Sequence, residues 1–176
     1  TEKPVEKPAA AMSALRHLLA ILSLPFTVVV VIPLIILAQT QISFNLAFVI
    51  LGGLFLALGL TLVVQTISLF ITVGKGTLAP WMPTQKLVVR GIYRHVRNPM
   101  ISGVFCLLIG EACIFGSPSL LIWLFFFGLT NFLYIPRLEE PDLEKRFGDE
   151  YVIYKTNVPR WIPRLTPWKP PFDPEA

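Results

Sequence analysis

The residues of this chain that can do chemistry are gathered in two short blocks. The first, residues 74–99, carries Lys75, Lys86, Arg90, Tyr93, Arg94, His95, Arg97 and Asn98. The second follows Ile135 and carries Glu139, Glu140, Tyr151, Tyr154, Arg160 and Arg164. Arginine offers a planar fork of N–H donors for carboxylate or phosphate, and paired carboxylates offer acceptors. In the second block Glu140 is expected to cap a helix with Pro141 at its first position. Leu143, Phe147, Tyr151 and Tyr154 then recur at spacings of four, four and three, which predicts one apolar and aromatic helix face with Gly148 as a joint. The alternative use of that face is packing on the bilayer or on other helices. His17 and His95 have no Cys or carboxylate at ligand spacing, so no metal site is expected.

These blocks must be held by elements of an unusual composition. Of 176 residues 54% are hydrophobic and 15% charged, with a mean hydropathy of +0.66. A soluble globule draws about a quarter of its residues from Asp, Glu, Lys and Arg. The composition therefore predicts a membrane protein and excludes a cytosolic enzyme, a disordered chain and a nucleic-acid-binding module. A bilayer core of about 30 Å needs roughly 20 helical residues, and four apolar segments are expected to cross it, at 18–38, 44–73, 100–115 and 119–135. The third is short, and Gly116-Ser117-Pro118 turns it into a helical hairpin with the fourth. The first segment has no Ala-x-Ala site and is read as a retained span. The Pro, Lys and Ala tail 1–16 is expected to be disordered. All 15 Lys and Arg residues fall on one side if there are four spans, which places both termini and both polar blocks in the cytoplasm.

Within the apolar segments Glu111 is the one charged side chain, and near the outer end it is expected to make a structural polar contact. Gly103, Cys106, Gly110 and Cys113 form a stripe of small side chains where another helix can approach. Packing accounts for both cysteines. Gly74-Lys75-Gly76 lacks the strand of a dinucleotide fingerprint and reads as a linker.

The stretch KLVVRGIYRHVRNPMISG, residues 86–103, precedes the hairpin, and EEPDLEKRFGDEYVIYKTNVPRWIP, residues 139–163, follows it. In that order they resemble the carboxy-terminal core of the isoprenylcysteine carboxyl methyltransferase family and its phospholipid methyltransferase relatives. The shared elements are Gly-x-Tyr, an Arg-Asn-Pro turn at the mouth of a helix, Glu-Glu-x-x-Leu and Phe-Gly-x-Glu-Tyr. The resemblance covers about half the chain. It implies an all-helical, multi-span enzyme with a methyltransferase-like core over 74–176, preceded by two helices over 17–73.

It also implies S-adenosylmethionine as cofactor, bound between the cytoplasmic helix ends and the carboxy-terminal segment. By matching positions its contacts fall on Tyr93, Arg97, Asn98, Pro99, Met100, Glu139, Glu140 and Leu143. A glutamate can accept from the ribose or ammonium, and Arg97 or the N–H groups of the following helix can hold the carboxylate. Arg160 matches a basic residue that can pair an anionic acceptor, with Tyr151 shaping the slot and His95 as a further base candidate. Arg160, Trp161 and Arg164 read equally well as an interfacial anchor. Asn98 stands where eukaryotic-type members have His and cannot act as a base near neutral pH, a variant that looks like bacterial members. The resulting expectation is a membrane methyltransferase, in the bacterial inner membrane, acting on a lipidic or small apolar acceptor. A phospholipid N-methyltransferase and a non-catalytic subunit that keeps the fold remain alternatives, and the sequence does not give the oligomeric state.

Overall fold

A computed structural model of the chain describes residues 25–74 and 84–172. The tail 1–16, the beginning of the first apolar segment and most of the linker at Gly74 lie outside those residues. Every regular element among the described residues is helical.

The first element, α1 (Thr27–Leu37), opens as a π turn over Thr27–Val31 and closes as α-helix. Pro33 accounts for the wide turn, since it has no N–H and its ring crowds the carbonyl four residues back. The indole of Trp123 covers one freed carbonyl, donating to Val28 O at 3.1 Å. Helix α2 (Leu46–Thr72) starts at Asn45, whose side chain accepts from the Ala47 N–H at 3.0 Å. Helices α3 (Pro99–Phe115) and α4 (Pro118–Tyr134) form the expected hairpin. Its turn depends on Gly116, at φ 56°, where a Cβ would also strike Ser43 O.

Helix α2 buries only Gly52, Gly59 and Thr66. They are seven residues apart, two turns, and so share one face. Gly52 lies against Gly110 and Gly59 against Gly103, and a Cβ on either α2 glycine would come within 2.6 or 2.7 Å of the opposing carbonyl oxygen. Lipid is as apolar as a leucine side chain, so helices associate in it through close backbone approach, which only small residues permit. The expected stripe on α3 thus meets its counterpart through Gly103 and Gly110, while Cys106 and Cys113 are half-buried free thiols. The other faces of α2 and α4 expose large apolar side chains such as Leu46, Leu60 and Phe125.

Among the described residues two helices are long and apolar enough to cross a membrane, Leu46–Thr72 and Pro118–Phe147; α1 and α3 are shorter apolar helices. Their composition and exposed apolar faces indicate membrane association. The expectation for Glu140 is corrected: it does not cap a new helix. The α4 helix runs through a π turn at Ile135–Glu139 directly into α5 (Glu140–Phe147), with Glu139 itself helical and no side-chain cap. Pro136 and Pro141 each remove a donor without breaking the rod, because the π turn re-registers it. Thirty residues span about 45 Å, longer than a hydrocarbon core of about 30 Å, so the charged end of this rod projects past its apolar part. Gly148, at φ 56° and ψ −135°, is the joint to α6 (Asp149–Asn157), as its sequence position suggests. Glu111 does not find the expected contact: its buried Oε2 has no hydrogen-bond partner among the described residues.

The glycine stripe gives a direct test. Gly59→Leu and Gly103→Leu should each destabilise the detergent-solubilised protein by about 1 to 3 kcal/mol through overpacking, read as a lowered midpoint in thermal unfolding. Gly53→Ala, on the open side of α2 with nothing within 4 Å of its Cβ, should be neutral or slightly stabilising.

Candidate active site

The turn that enters α3 is built from a short 3-10 helix, Gly91–Arg94, in which Gly91 takes φ 55°. This places Tyr93 inward, buried and stacked on Phe70 of α2 with ring centroids 5.6 Å apart. Thr66, the last buried residue of the α2 stripe, stands beside its hydroxyl. Burial, with Tyr154 and Glu139 nearby, raises that hydroxyl well above the usual tyrosine value. Tyr154 of α6 donates its own hydroxyl to Tyr93 O at 2.7 Å.

Four residues after Tyr93, at Arg97, the turn meets the charged end of the long rod. Arg97 Nη1 donates to Glu140 Oε1 at 3.0 Å. From the other side Arg160 grips the same carboxylate twice, Nε to Oε1 at 2.6 Å and Nη2 to Oε2 at 2.8 Å. Glu140 is buried, and the Arg97 side chain is only 10% exposed. The bidentate pair raises the Arg160 pKa and keeps the guanidinium charged. Tyr151 lies beside this cluster, its hydroxyl pushed up to about 12 by burial and by the Glu140 charge while Arg97 pulls the other way.

A strap after α6 closes over the turn. Arg97 N–H donates to Pro159 O at 3.0 Å, Arg164 N–H to His95 O at 2.9 Å and Trp168 N–H to Arg94 O at 3.0 Å. Arg94 Nε returns a bond to Trp168 O at 2.7 Å. His95 Nδ1 stands 2.7 Å from Arg164 O. A carbonyl can only accept, so Nδ1 carries a proton and donates it to the strap. Underneath, Val89, Tyr151, Tyr154 and Val158 form an apolar core against which Leu143, Phe147 and Trp168 pack.

Two buried donors at the mouth of α3, Arg97 Nε and Asn98 Nδ2, have no acceptor among the described residues. Asn98 is the N-cap residue of α3, a position where Asn ordinarily bonds the first helical N–H groups, yet its side chain makes no such bond. An anionic oxygen is what such a pair of donors accommodates. Ser102, one turn on, bonds back to Asn98 O at 3.0 Å. It also begins a groove of about 350 Å³ between α3 and α4, lined by Ser102, Phe105, Gly128, Phe132 and Trp161.

Of the residues expected at the site, Tyr93, Arg97, Tyr151, Glu140 and Arg160 converge. Glu139 is half-buried at the end of the π turn, close enough for its charge to act on Tyr93 and Tyr151. Pro99 and Met100 form the first turn of α3, buried and half-buried. Leu143 serves the apolar core, and His95 faces the strap rather than the Glu140 cluster. Arg160, expected to face an acceptor, is engaged by Glu140. Sequence reasoning missed Thr66 and Phe70, which lie in an apolar helix without motif, and Phe105, Gly128 and Phe132, whose shared groove exists only once α3 and α4 are folded together. Thr66 had one readable signal, the seven-residue interval from Gly59. Because Glu140→Ala strands two arginines, it should destabilise the protein by about 3 kcal/mol, the lower end for a broken buried pair since Arg160 keeps solvent contact. Near-ultraviolet circular dichroism during denaturation measures this.

Comparison with known proteins agrees with this architecture. The family model for phospholipid methyltransferases matches residues 47–150, from the start of α2 into α6. The protein-S-isoprenylcysteine O-methyltransferase of Schizosaccharomyces pombe is 34% identical over 85 residues, which is 45% of this chain and 34% of that protein. The chain thus matches about a third of the length of that curated relative. Helices that present Tyr93, the Arg97 turn and Glu140 to one another fall inside the matched region, and the chain belongs to the phospholipid methyltransferase family.

Proposed function

We propose that this protein is an integral membrane methyltransferase that uses S-adenosylmethionine and acts on a lipidic acceptor reaching the site from within the bilayer. The observation that carries the reading is the apolar groove between α3 and α4, whose Ser102 bonds back to Asn98 O at the mouth of α3, where Arg97 Nε and Asn98 Nδ2 have no acceptor among the described residues. Family membership and the methyltransferase relative support the reaction class. We also read all four apolar segments as spans, with both polar blocks in the cytoplasm, from the one-sided distribution of basic residues.

The donor set suits the cofactor. Arg97 Nε and Asn98 Nδ2 would hold its carboxylate, Glu139 would accept from its ammonium or ribose, and the Tyr93 and Phe70 rings provide a flat apolar neighbour. When bound, S-adenosylmethionine supplies a methyl group on a sulfonium, a leaving group that needs no acid. The protein's part is therefore to position and desolvate. The Glu140 clamp fixes Arg97, the strap excludes water from above, and the groove lets an apolar chain stay in lipid while its polar end approaches. Each buried methylene of that chain adds about 0.8 kcal/mol. Asn98 takes no proton; His95, whose Nδ1 is held by the strap, is the base candidate for an acceptor that must lose one. A phospholipid with its acyl chain in the groove and its ethanolamine headgroup at the turn is the second reading, in keeping with the family's phospholipid methyltransferase description.

Asn98→Ala leaves the Glu140 clamp intact. It should weaken S-adenosylmethionine binding by roughly tenfold, the loss of one hydrogen bond to a charged group of about 1.5 kcal/mol, measured by calorimetry in lipid nanodiscs. Absence of binding to the unmutated protein would favour a non-catalytic subunit. With methyl-labelled cofactor, reconstituted protein should place label in a total lipid extract, and Gly128→Val, which crowds Phe105 across the groove, should raise KM for the lipid and leave cofactor affinity unchanged. Label confined to water-soluble products would refute lateral entry, and label on an ethanolamine headgroup would select the second reading.

Sidedness has its own test. In a cysteine-free background, exposed Gln41→Cys should react with an impermeant thiol reagent from outside the cell, and exposed Glu150→Cys only after permeabilisation. The reverse pattern would invert the topology.

A further inference from the structure

The strap, residues 158–168, holds the site on its inner side and has an outer side that leaves large apolar side chains exposed in the described structure. Ile162 is 79% exposed and Leu165 is 99% exposed, among the most exposed large apolar side chains in the described structure. Neither belongs to an apolar helix. They sit between the backbone bonds that tie Pro159, Arg164 and Trp168 to the turn, and Pro159, Pro163 and Pro167 restrict the backbone around them. The segment therefore cannot easily fold these side chains back onto the protein. Left in water, each forgoes the roughly 1.5 to 3 kcal/mol that burying such a side chain yields.

Two features identify what covers them. The exposed pair continues an apolar belt: Trp161 lines the groove with Phe105 and Phe132, and Phe132 and Leu138 on the long rod are themselves exposed. The charge is also one-signed. Residues 151–172 contain Lys155, Arg160, Arg164 and Lys169 and no Asp or Glu. Lys155 is paired to Glu144 and Arg160 to Glu140, which leaves the Lys169 ammonium exposed and Arg164 half-exposed, its Nη1 donating to the neutral Asn157 O at 2.5 Å so that its charge is not matched by a carboxylate. Large apolar side chains interleaved with cations are the composition that settles at the boundary between headgroups and acyl chains of an anionic bilayer.

We propose that the strap is an interfacial membrane anchor, with Ile162 and Leu165 inserted at the headgroup boundary of an anionic bilayer and Arg164 and Lys169 facing its phosphates. The anchor rests on the reading that α2 and α4 cross the membrane. It links the site to the lipid phase, because the segment that dips into the bilayer also carries Trp161 over the groove and the carbonyl that engages His95. A soluble detergent monomer would hold the strap less firmly than a bilayer does.

The test uses the full chain in proteoliposomes, with Cys106 and Cys113 replaced by alanine and a bimane label on one introduced cysteine. Labels at Ile162→Cys and Leu165→Cys should be quenched at least about twofold more by lipids bearing a shallow nitroxide than by lipids bearing a deep one, and should be shielded from aqueous iodide relative to Glu150→Cys. Shallow quenching should be stronger in vesicles containing phosphatidylglycerol than in purely zwitterionic ones; equal quenching would overturn the anionic surface as partner. Phe125→Cys, midway along α4, should respond most to the deep nitroxide. If Phe125→Cys behaves so while both strap labels are quenched by iodide like Glu150→Cys, the anchor is refuted and the spanning reading survives. If the Phe125→Cys label also sees only iodide, the spanning reading itself fails. Shielding without lipid quenching that disappears on dilution of the protein in lipid would assign the covering surface to a second copy of the chain and overturn the proposal.

Discussion

The structure turns on one carboxylate. Glu140 receives Arg97 from the turn before α3 and both donors of Arg160 from the strap, while it sits on the long helical rod of α4 and α5. Three segments distant in sequence are fixed at one point. Burying a carboxylate costs several kcal/mol unless its lone pairs are filled, and three charge-assisted bonds fill them here. The same demand makes the arrangement specific, because any displacement of the turn, the rod or the strap leaves a charge stranded.

The apolar half must deliver that turn to the right place, and it does so without a hydrophobic driving force between helices. Close contact of Gly52 with Gly110 and Gly59 with Gly103 lets α2 and α3 approach at backbone distance. One further interval of seven brings Thr66 to Tyr93. The stripe therefore serves packing along most of its length and the site at its end. Opposite it, the π turn at Ile135–Glu139 keeps two prolines inside one continuous rod, so that the acidic pair is carried on a stiff element and not on a loop.

Polar and apolar functions meet in the strap. Its backbone completes the hydrogen bonding of residues 94–97, its Trp161 roofs the groove against Phe105, and its outer side is apolar and basic. A site made this way needs no soluble domain. On the proposed reading, donors for the cofactor lie at a helix mouth, the acceptor's chain would lie along a helix pair, and the cover is a short proline-fixed segment that would rest on the lipid surface.

Much of this was legible in the residues. The apolar segments, the hairpin at Gly116 and the joint at Gly148 are local matters of composition and backbone freedom; the structure has the hairpin and the joint where the sequence places them, and its described part of each apolar segment forms a helix. The two polar blocks were legible too, because ionisable groups are scarce in so apolar a chain. Which of those groups pair was not. Glu140 reads as a helix cap beside Pro141, and only the continuous rod, with the strap folded over it, makes it the partner of Arg97 and Arg160. Arg160 reads as free to meet a ligand and is engaged by Glu140. Asn98 reads, by resemblance, as a cofactor contact, and only the fold shows it as the N-cap residue of α3 whose buried Nδ2 has no acceptor among the described residues. Sequence fixes the type and local conformation of each element, since those follow from near neighbours along the chain. Pairing of charges, orphaning of donors and the groove beside Gly128 depend on contacts between residues 20 to 61 positions apart in the chain, and only the tertiary structure decides those.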